Sequence, residues 1–230
     1  YGGLVASNLL DRTDILHPRP KLVLMPDDPR LGVFREKFKG RLGTLEIRPQ
    51  GKKKNRASFE GADEVYSSPK LFRALYKDND NQMDPQAYAR ARVFDMWIGD
   101  WDRHEDNWKW AGYKKGKKMT FKPIPRDRDH VFSQWEGLIP GLADKVVPNA
   151  EHFDYKFKNL YHLNFKARYL DRQLGNSLTL DDWLEAVKYI QTTMTDEAIA
   201  EAIQQIPEGV REYHGDEIAA KLRSRRLDLP

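Results

Sequence analysis

The stretch from Pro85 to Asp129 restricts what this chain can fold into more than any other part of it. It opens on a helix signal, with Asp84 as N-cap and Pro85 at the first helical position. Tyr88, Ala91, Phe94 and Ile98 then recur at the spacing of one buried helix face, and Gly99 supplies a C-terminal stop. An acidic run, Asp100-Trp-Asp-Arg-His-Glu-Asp-Asn107, follows directly. Trp108-Lys-Trp-Ala111, a Lys/Gly turn around Gly116 and Met119-Thr-Phe-Lys-Pro-Ile124 read as a β-hairpin. A second acidic run, Asp127-Arg-Asp129, closes it. A hairpin brings its two ends together, so Asp100, Asp102, Asp106 and Asn107 become neighbours of Asp127 and Asp129. Clustered carboxylates repel one another unless a cation sits between them. Oxygen donors in a chain without cysteine suit a hard ion, Mg²⁺ or Mn²⁺.

On either side the signals are shorter. Lys21-Leu-Val-Leu-Met25 reads as a strand stopped by Pro26-Asp-Asp-Pro29, and Leu42 to Arg48 as a second strand stopped by Pro49. Residues 50–64 read as a polar loop, and Ser68-Pro69 starts a helix to about Tyr76. Asp78 to Asp84 invites comparison with a calcium loop, but Met83 stands where the turn needs Gly and Ala89 where the ion needs Glu. After about residue 150 the pattern is helical. Thr179 and Thr195 cap two helices, the second ending near Pro207-Glu-Gly209, and Gly215-Asp216 opens a last one to Arg226. The expected class is α+β, with short strands in residues 1–78 and a mainly helical part, holding the hairpin, in 79–230.

Composition excludes several functions. The excess of 39 basic over 35 acidic residues gives a net charge of only +4, small for a dedicated nucleic-acid binder. Lys52-Lys53-Lys54 and the Lys114–Lys118 run read as solvated loops. A mean hydropathy of −0.77, without a long apolar run, excludes a membrane-spanning helix. The lack of cysteine excludes thiolate catalysis, thiolate-bound zinc and disulfides. Four tryptophans between Trp97 and Trp110 read as core between helix and hairpin rather than as a stacking platform. His130 reads as a bystander. The chain opens at Tyr1-Gly2-Gly3 with neither Met nor signal peptide, as expected of a fragment or a processed product.

Residue order sharpens the acidic site. Asp102 and Asn107 stand five positions apart, like the catalytic-loop Asp and Asn of protein kinases, and Asp127 or Asp129 follows a hairpin where kinases place a metal-binding Asp. Asp95-Met-Trp-Ile-Gly-Asp-Trp-Asp-Arg-His-Glu-Asp-Asn-Trp108 and Pro123-Ile-Pro-Arg-Asp-Arg-Asp-His-Val-Phe132 resemble an atypical kinase-like domain. That domain is related to spore-coat kinases of the CotH type and more remotely to HipA-type kinases. The chain is most similar to the domain lying between a calcineurin-like phosphoesterase and a BamA-like β-barrel in Gram-negative outer-membrane surface proteins. Pro20 to Gly32, Thr44 to Pro49 and the Thr195–Arg226 tail agree with it, so the resemblance covers nearly the whole chain.

The resemblance implies a protein-kinase-like fold: a partial N-lobe in residues 1–78 and a C-lobe, with the catalytic-loop hairpin, in 79–230. It implies ATP and Mg²⁺ (or Mn²⁺) as cofactors. Asp102 becomes the catalytic base and His104 a neighbour of the transferring phosphate. Asn107 becomes a metal ligand, with Asp127 and Asp129 competing for the second metal position. Arg126 and Arg128 would neutralise phosphate charge or pair with the nearby carboxylates. The acceptor is left open among protein, lipid and glycan. The setting implied is extracytoplasmic, in the periplasm or at an outer-membrane barrel. The chain departs from kinases in having no Gly-rich phosphate loop and no Val-Ala-Ile-Lys strand; Lys21, Lys37 and Glu46 are the nearest substitutes. In the family, the N-lobe strands bearing Arg and Lys precede the point where this sequence starts. A pseudokinase or scaffold, and a metal-dependent phosphoesterase, are the competing expectations.

Overall fold

Residues 1–54, 56–134 and 152–229 are described by a computed structural model, and they form an α+β structure. Helix α1 (Gly2–Leu10) leads into a ribbon of β1 (Lys21–Leu24) and β2 (Leu42–Leu45), joined through a 3₁₀ turn (Pro29–Phe34) and the short α2 (Arg35–Phe38). The two strands pair antiparallel, Lys21 opposite Leu45. Every residue of both is exposed, so this ribbon is nearly all surface.

A second sheet carries the site. Its strands are β3 (Glu64–Ser67), β4 (Asn81–Met83), β5 (Trp108–Lys115) and β6 (Lys118–Pro125), in the order β3-β5-β6-β4. β5 and β6 are the expected hairpin, with Trp108 opposite Pro125 and a turn at Gly116 in the left-handed region (φ 66°). β3 adds antiparallel to β5, and β4 adds parallel to β6. Neither outer strand has a sequence signal of its own; each is short and owes its conformation to the edge it completes.

Helix α3 (Ser68–Lys77) and helix α4 (Pro85–Trp97) pack on the same core. Asp84 caps α4 as expected, its carboxylate accepting from Ala87 N at 3.0 Å. The helices α5 (Leu160–Asn164), α6 (Arg168–Leu174), α7 (Leu180–Thr193), α8 (Asp196–Ile203) and α9 (Glu208–Asp228) follow. Thr179 caps α7 in a capping box with Asp182, and Thr195 caps α8.

Two helices differ from expectation. α1 begins at a Gly-Gly pair of poor helix propensity and is held by packing, since Val5, Leu9 and Leu10 are fully buried. The last helix does not begin at Gly215-Asp216 but runs unbroken from Glu208. A Cβ at Gly215 would lie 3.1 Å from Ile203 Cγ2, so this glycine marks a close approach to α8, not a break.

The tryptophans fill the core as expected: Trp97, Trp108 and Trp110 are fully buried and Trp101 nearly so. Trp108 and Trp110, two apart on one face of β5, stack at 5.8 Å, with Tyr88 of α4 against both. One apolar cluster joins Val5, Leu9 and Leu71 to Tyr88, Trp97 and Ile199, across residue 78.

Arg225 of α9 fixes where α4 delivers the chain. Its buried guanidinium donates to Met96 O at 2.7 Å, which also accepts from Gly99 N, and to Trp97 O at 2.8 Å, a carbonyl that the helix end leaves open. Gly99 then turns the chain at φ 69°, where a Cβ would come 2.8 Å from the Phe153 ring.

Candidate functional site

The acidic loop that leaves Gly99 closes on itself at Asp102 and Asn107. Asn107 Nδ2 donates to Asp102 O at 2.8 Å and reaches Asp102 Oδ2 at 3.4 Å. Between them His104 caps a 3₁₀ turn (Glu105–Asn107), its Nδ1 accepting from Asp106 N at 3.3 Å. Ser68, at the start of α3, ties the loop to the sheet: its hydroxyl donates to Glu105 O and accepts from Trp110 Nε1. The five-residue spacing is therefore the span of one clasp.

Asp102 is mostly buried, with a side chain 13% exposed, and is ringed by basic groups. Lys166 Nζ donates to Oδ1 at 2.6 Å, while His104 Nε2 and His130 Nε2 stand 3.9 and 3.8 Å from Oδ2. Burial acts to raise the Asp102 carboxyl, but the Lys166 bond and charge, with the two imidazoles, hold it below the ordinary carboxylate range. His130 is thus no bystander. It packs 4.6 Å from the Trp101 ring and also faces Asp129 Oδ1 at 3.6 Å. Lys166, missed by sequence reasoning, lies over the same Trp101 ring at 4.7 Å.

The second acidic run is pinned against the first by backbone contacts. Arg126 N donates to Asn107 O at 2.8 Å. Arg103, fully buried, donates through Nη2 to Arg126 O at 2.6 Å and Asp127 O at 2.8 Å. Asp127 is held in the left-handed region at φ 56°, a conformation uncommon outside glycine. Its carboxylate is exposed and has no hydrogen bond or ion pair among the described residues.

Arg128 lies behind this surface. Its Nη1 is shared between Asp95 Oδ1 at 2.8 Å and Asp100 Oδ2 at 2.9 Å, both carboxylates fully buried. Arg103 also faces Asp100 at 3.3 Å, and Arg92 joins Asp95 to Asp171. From the half-buried Asp171, Arg92, Asp95, Arg128, Asp100 and Arg103 continue an alternation of charge, balanced in sign and buried beyond its first member, that ends at the Asp127 carbonyl. Burial pushes the Asp100 carboxyl up against the pull of Arg103 and Arg128.

A cavity of about 660 Å³ opens beside these loops, within the range of small-molecule sites. Its walls are α1, the β1–β2 ribbon, and the two acidic runs from Asp106 to Asn107 and from Arg126 to Asp129. Arg126 stands 3.9 Å from Glu46 of the ribbon strand's end, and its Nε is buried without a partner among the described residues. Lys21 and Lys37 do not line the cavity. His17 does, buried, with Nδ1 3.0 Å from Ile15 O. Its Nε2 stands 3.2 Å from Asp11 Oδ1, and burial lowers the imidazole pKa against the pull of the Ile15 carbonyl and the Asp11 carboxylate.

Among the described residues no three His, Asp or Glu gather as a metal cluster. The cavity wall instead offers separate oxygen donors: Asn107 Oδ1, left over when Nδ2 bonds Asp102, the Asp106 and Asp127 carboxylates, which have no hydrogen bond or ion pair among the described residues, and Asp129, which faces His130. A small hard set of this kind suits Mg²⁺, which keeps several waters and is completed by substrate phosphates. Asp129 reaches Asp102 only through His130. No protein-family model, curated protein or solved structure matches this chain, so the reading of the site rests on its own geometry.

Proposed function

We propose that this chain is a Mg²⁺-dependent, kinase-like phosphotransferase domain acting on ATP. The observation that carries the reading is the Asp102–Asn107 clasp, through which Asp102, itself outside the cavity lining, is tied to an Asn107 that shares the cavity wall with Asp127. Asp102 Oδ2 orients the acceptor hydroxyl and takes its proton, while Lys166 fixes Oδ1. Asn107 Oδ1 and the Asp127 carboxylate hold the metal, with Asp129 the alternative ligand. A bound Mg²⁺ neutralises phosphate charge as it is transferred. Arg126 and the open N–H groups of Gly2 and Gly3 face the phosphates, while Arg128 stays engaged with Asp95 and Asp100. His104 lies beside the transferred group. The extracytoplasmic setting and the association with an outer-membrane barrel belong to the same proposal.

A second reading, a nucleotide-binding scaffold without transfer, is favoured by one feature. The ribbon over the cavity presents Glu46 paired to Arg126, not a lysine. Thermal shift with ATP, with and without Mg²⁺, combined with transfer from labelled ATP, decides. Mg²⁺-dependent stabilisation with transfer lost in Asp102→Ala supports the phosphotransferase. Stabilisation without transfer selects the scaffold. Metal binding with no ATP response selects a metal-dependent phosphoesterase, and no response to either refutes all three.

A further inference from the structure

We infer that the surface formed by α5 and α6 docks an acidic polypeptide segment and thereby presents a hydroxyl to Asp102. The acceptor role rests on the phosphotransferase reading; the docking does not. The surface begins at Lys166 itself, in the short connection between the two helices, whose ammonium touches Asp102 at 2.6 Å. From there an aromatic comb extends outward. Tyr161 packs on Phe165 at 5.6 Å, and the Arg168 guanidinium lies 3.9 Å over Phe165 and 4.3 Å over Tyr169. Tyr161 is 65% and Tyr169 59% exposed, so the comb ends in rings open to solvent.

The charge of this surface is one-sided. Between Tyr155 and Arg172 the basic residues are Lys156, Lys158, Lys166, Arg168 and Arg172. The one acid, Asp171, points inward to Tyr88 and Arg92. Lys158 finds a carboxylate just outside the stretch, Asp154 at 2.7 Å, but Lys156 and Arg172 are exposed with none among the described residues. The ribbon tip shows the contrast: there Arg30, Arg35 and Lys39 each sit beside their own Asp28, Asp27 and Glu36. An acidic peptide supplies the missing carboxylates, and its backbone and side chains lie against the exposed rings.

A bilayer fits less well. The aromatic tips are polar, and Arg168 locks the comb by donating to Phe165 O and Tyr169 Oη, leaving only Leu160 as an exposed aliphatic side chain to insert. Nucleic acid fits less well too, because its affinity is built on many phosphate contacts and these cations are few.

The test uses the whole chain and a fluorescent glutamate-rich peptide holding one serine and one tyrosine, read by anisotropy. Binding is expected that weakens as salt is raised. Lys156→Glu/Arg172→Glu and Tyr161→Ala alter exposed side chains, and circular dichroism checks that their folds are kept. The charge reversal should weaken the peptide about tenfold or more, and a lysine-rich peptide should not bind. Binding unchanged by the reversal overturns the inference. So does a preference for anionic phosphatidylglycerol vesicles or a single-stranded oligonucleotide over the peptide. The Mg²⁺–ATP thermal shift run beside it keeps the two readings apart. No peptide binding with an intact ATP response sinks this surface alone, and peptide binding without an ATP response sinks only the phosphotransferase.

Discussion

Replacing Arg128 by Met keeps most of its packing over the Phe94 ring and removes only the charge. In the native protein one guanidinium nitrogen serves two fully buried carboxylates, at 2.8 and 2.9 Å. The variant leaves Asp95 with Arg92 at 3.4 Å and Asp100 with Arg103 at 3.3 Å, both longer contacts. Removing one partner of a buried ion pair costs about 3–5 kcal/mol, a large share of the roughly 5–15 kcal/mol that stabilises a typical domain. Urea denaturation should show that loss near pH 7. The pH dependence has a definite sign. Asp100 already has a raised pKa, and losing Arg128 raises it further. A carboxyl of this kind stabilises the fold fully below its unfolded value and loses that contribution as pH rises through its folded value. The deficit of Arg128→Met should therefore shrink between pH 7 and pH 5. Adding Asp100→Asn should recover part of it, because the two positions are coupled. A loss under about 1 kcal/mol, equal at both pH values, would refute the charge ladder and return Arg128 to the cavity as a free phosphate contact.

Three further outcomes are expected. Lys166→Met removes the bond that lowers the Asp102 pKa, so the wild type should lose more stability than the variant on acidification below the ordinary carboxylate range; parallel acid limbs would count against the pair. Gly99→Ala forces a side chain to φ 69° against Phe153 and should cost about 1–2 kcal/mol in denaturant midpoint, while an unchanged midpoint would mean the loop re-routes. Asp127→Asn suits the left-handed backbone at least as well and removes a carboxylate with no partner among the described residues, so the melting temperature without metal should hold or rise while the Mg²⁺-dependent ATP shift falls; a clear drop without metal would expose a structural role.

What sequence made legible is local. The Asp84 cap, the β5–β6 hairpin and the Asp102–Asn107 clasp each depend on residues within a turn or a strand of one another. Their spacing alone carries the geometry. The groups that surround Asp102 are another matter. Lys166 arrives from a distant connection between two short helices, and no periodicity links it to the acidic loop. His130 follows an acidic residue and looks like a charge neighbour, yet its ring is turned by packing on Trp101. Arg128 is ambiguous in sequence because a phosphate and a buried carboxylate ask for the same side chain; burial decides in favour of pairing. Gly215 misleads for a related reason, since a glycine needed for close helix contact reads like the boundary at which a new helix opens. Strands β3 and β4 have no pattern because the sheet edge, not their composition, makes them extended.

The β1–β2 ribbon has a kinetic consequence. Its strands bury almost nothing, and a lone two-stranded ribbon is marginal in water. It nonetheless covers one side of the cavity. Covering of that kind unlatches at a small fraction of the free energy of global unfolding, and does so many times while the core beneath stays shut. Amide hydrogens of Leu22 to Leu24 and Leu42 to Leu45 should therefore exchange far sooner than those of β5. The shape of the cavity on that side then follows the breathing of these few residues, independently of how firmly the walls below are packed.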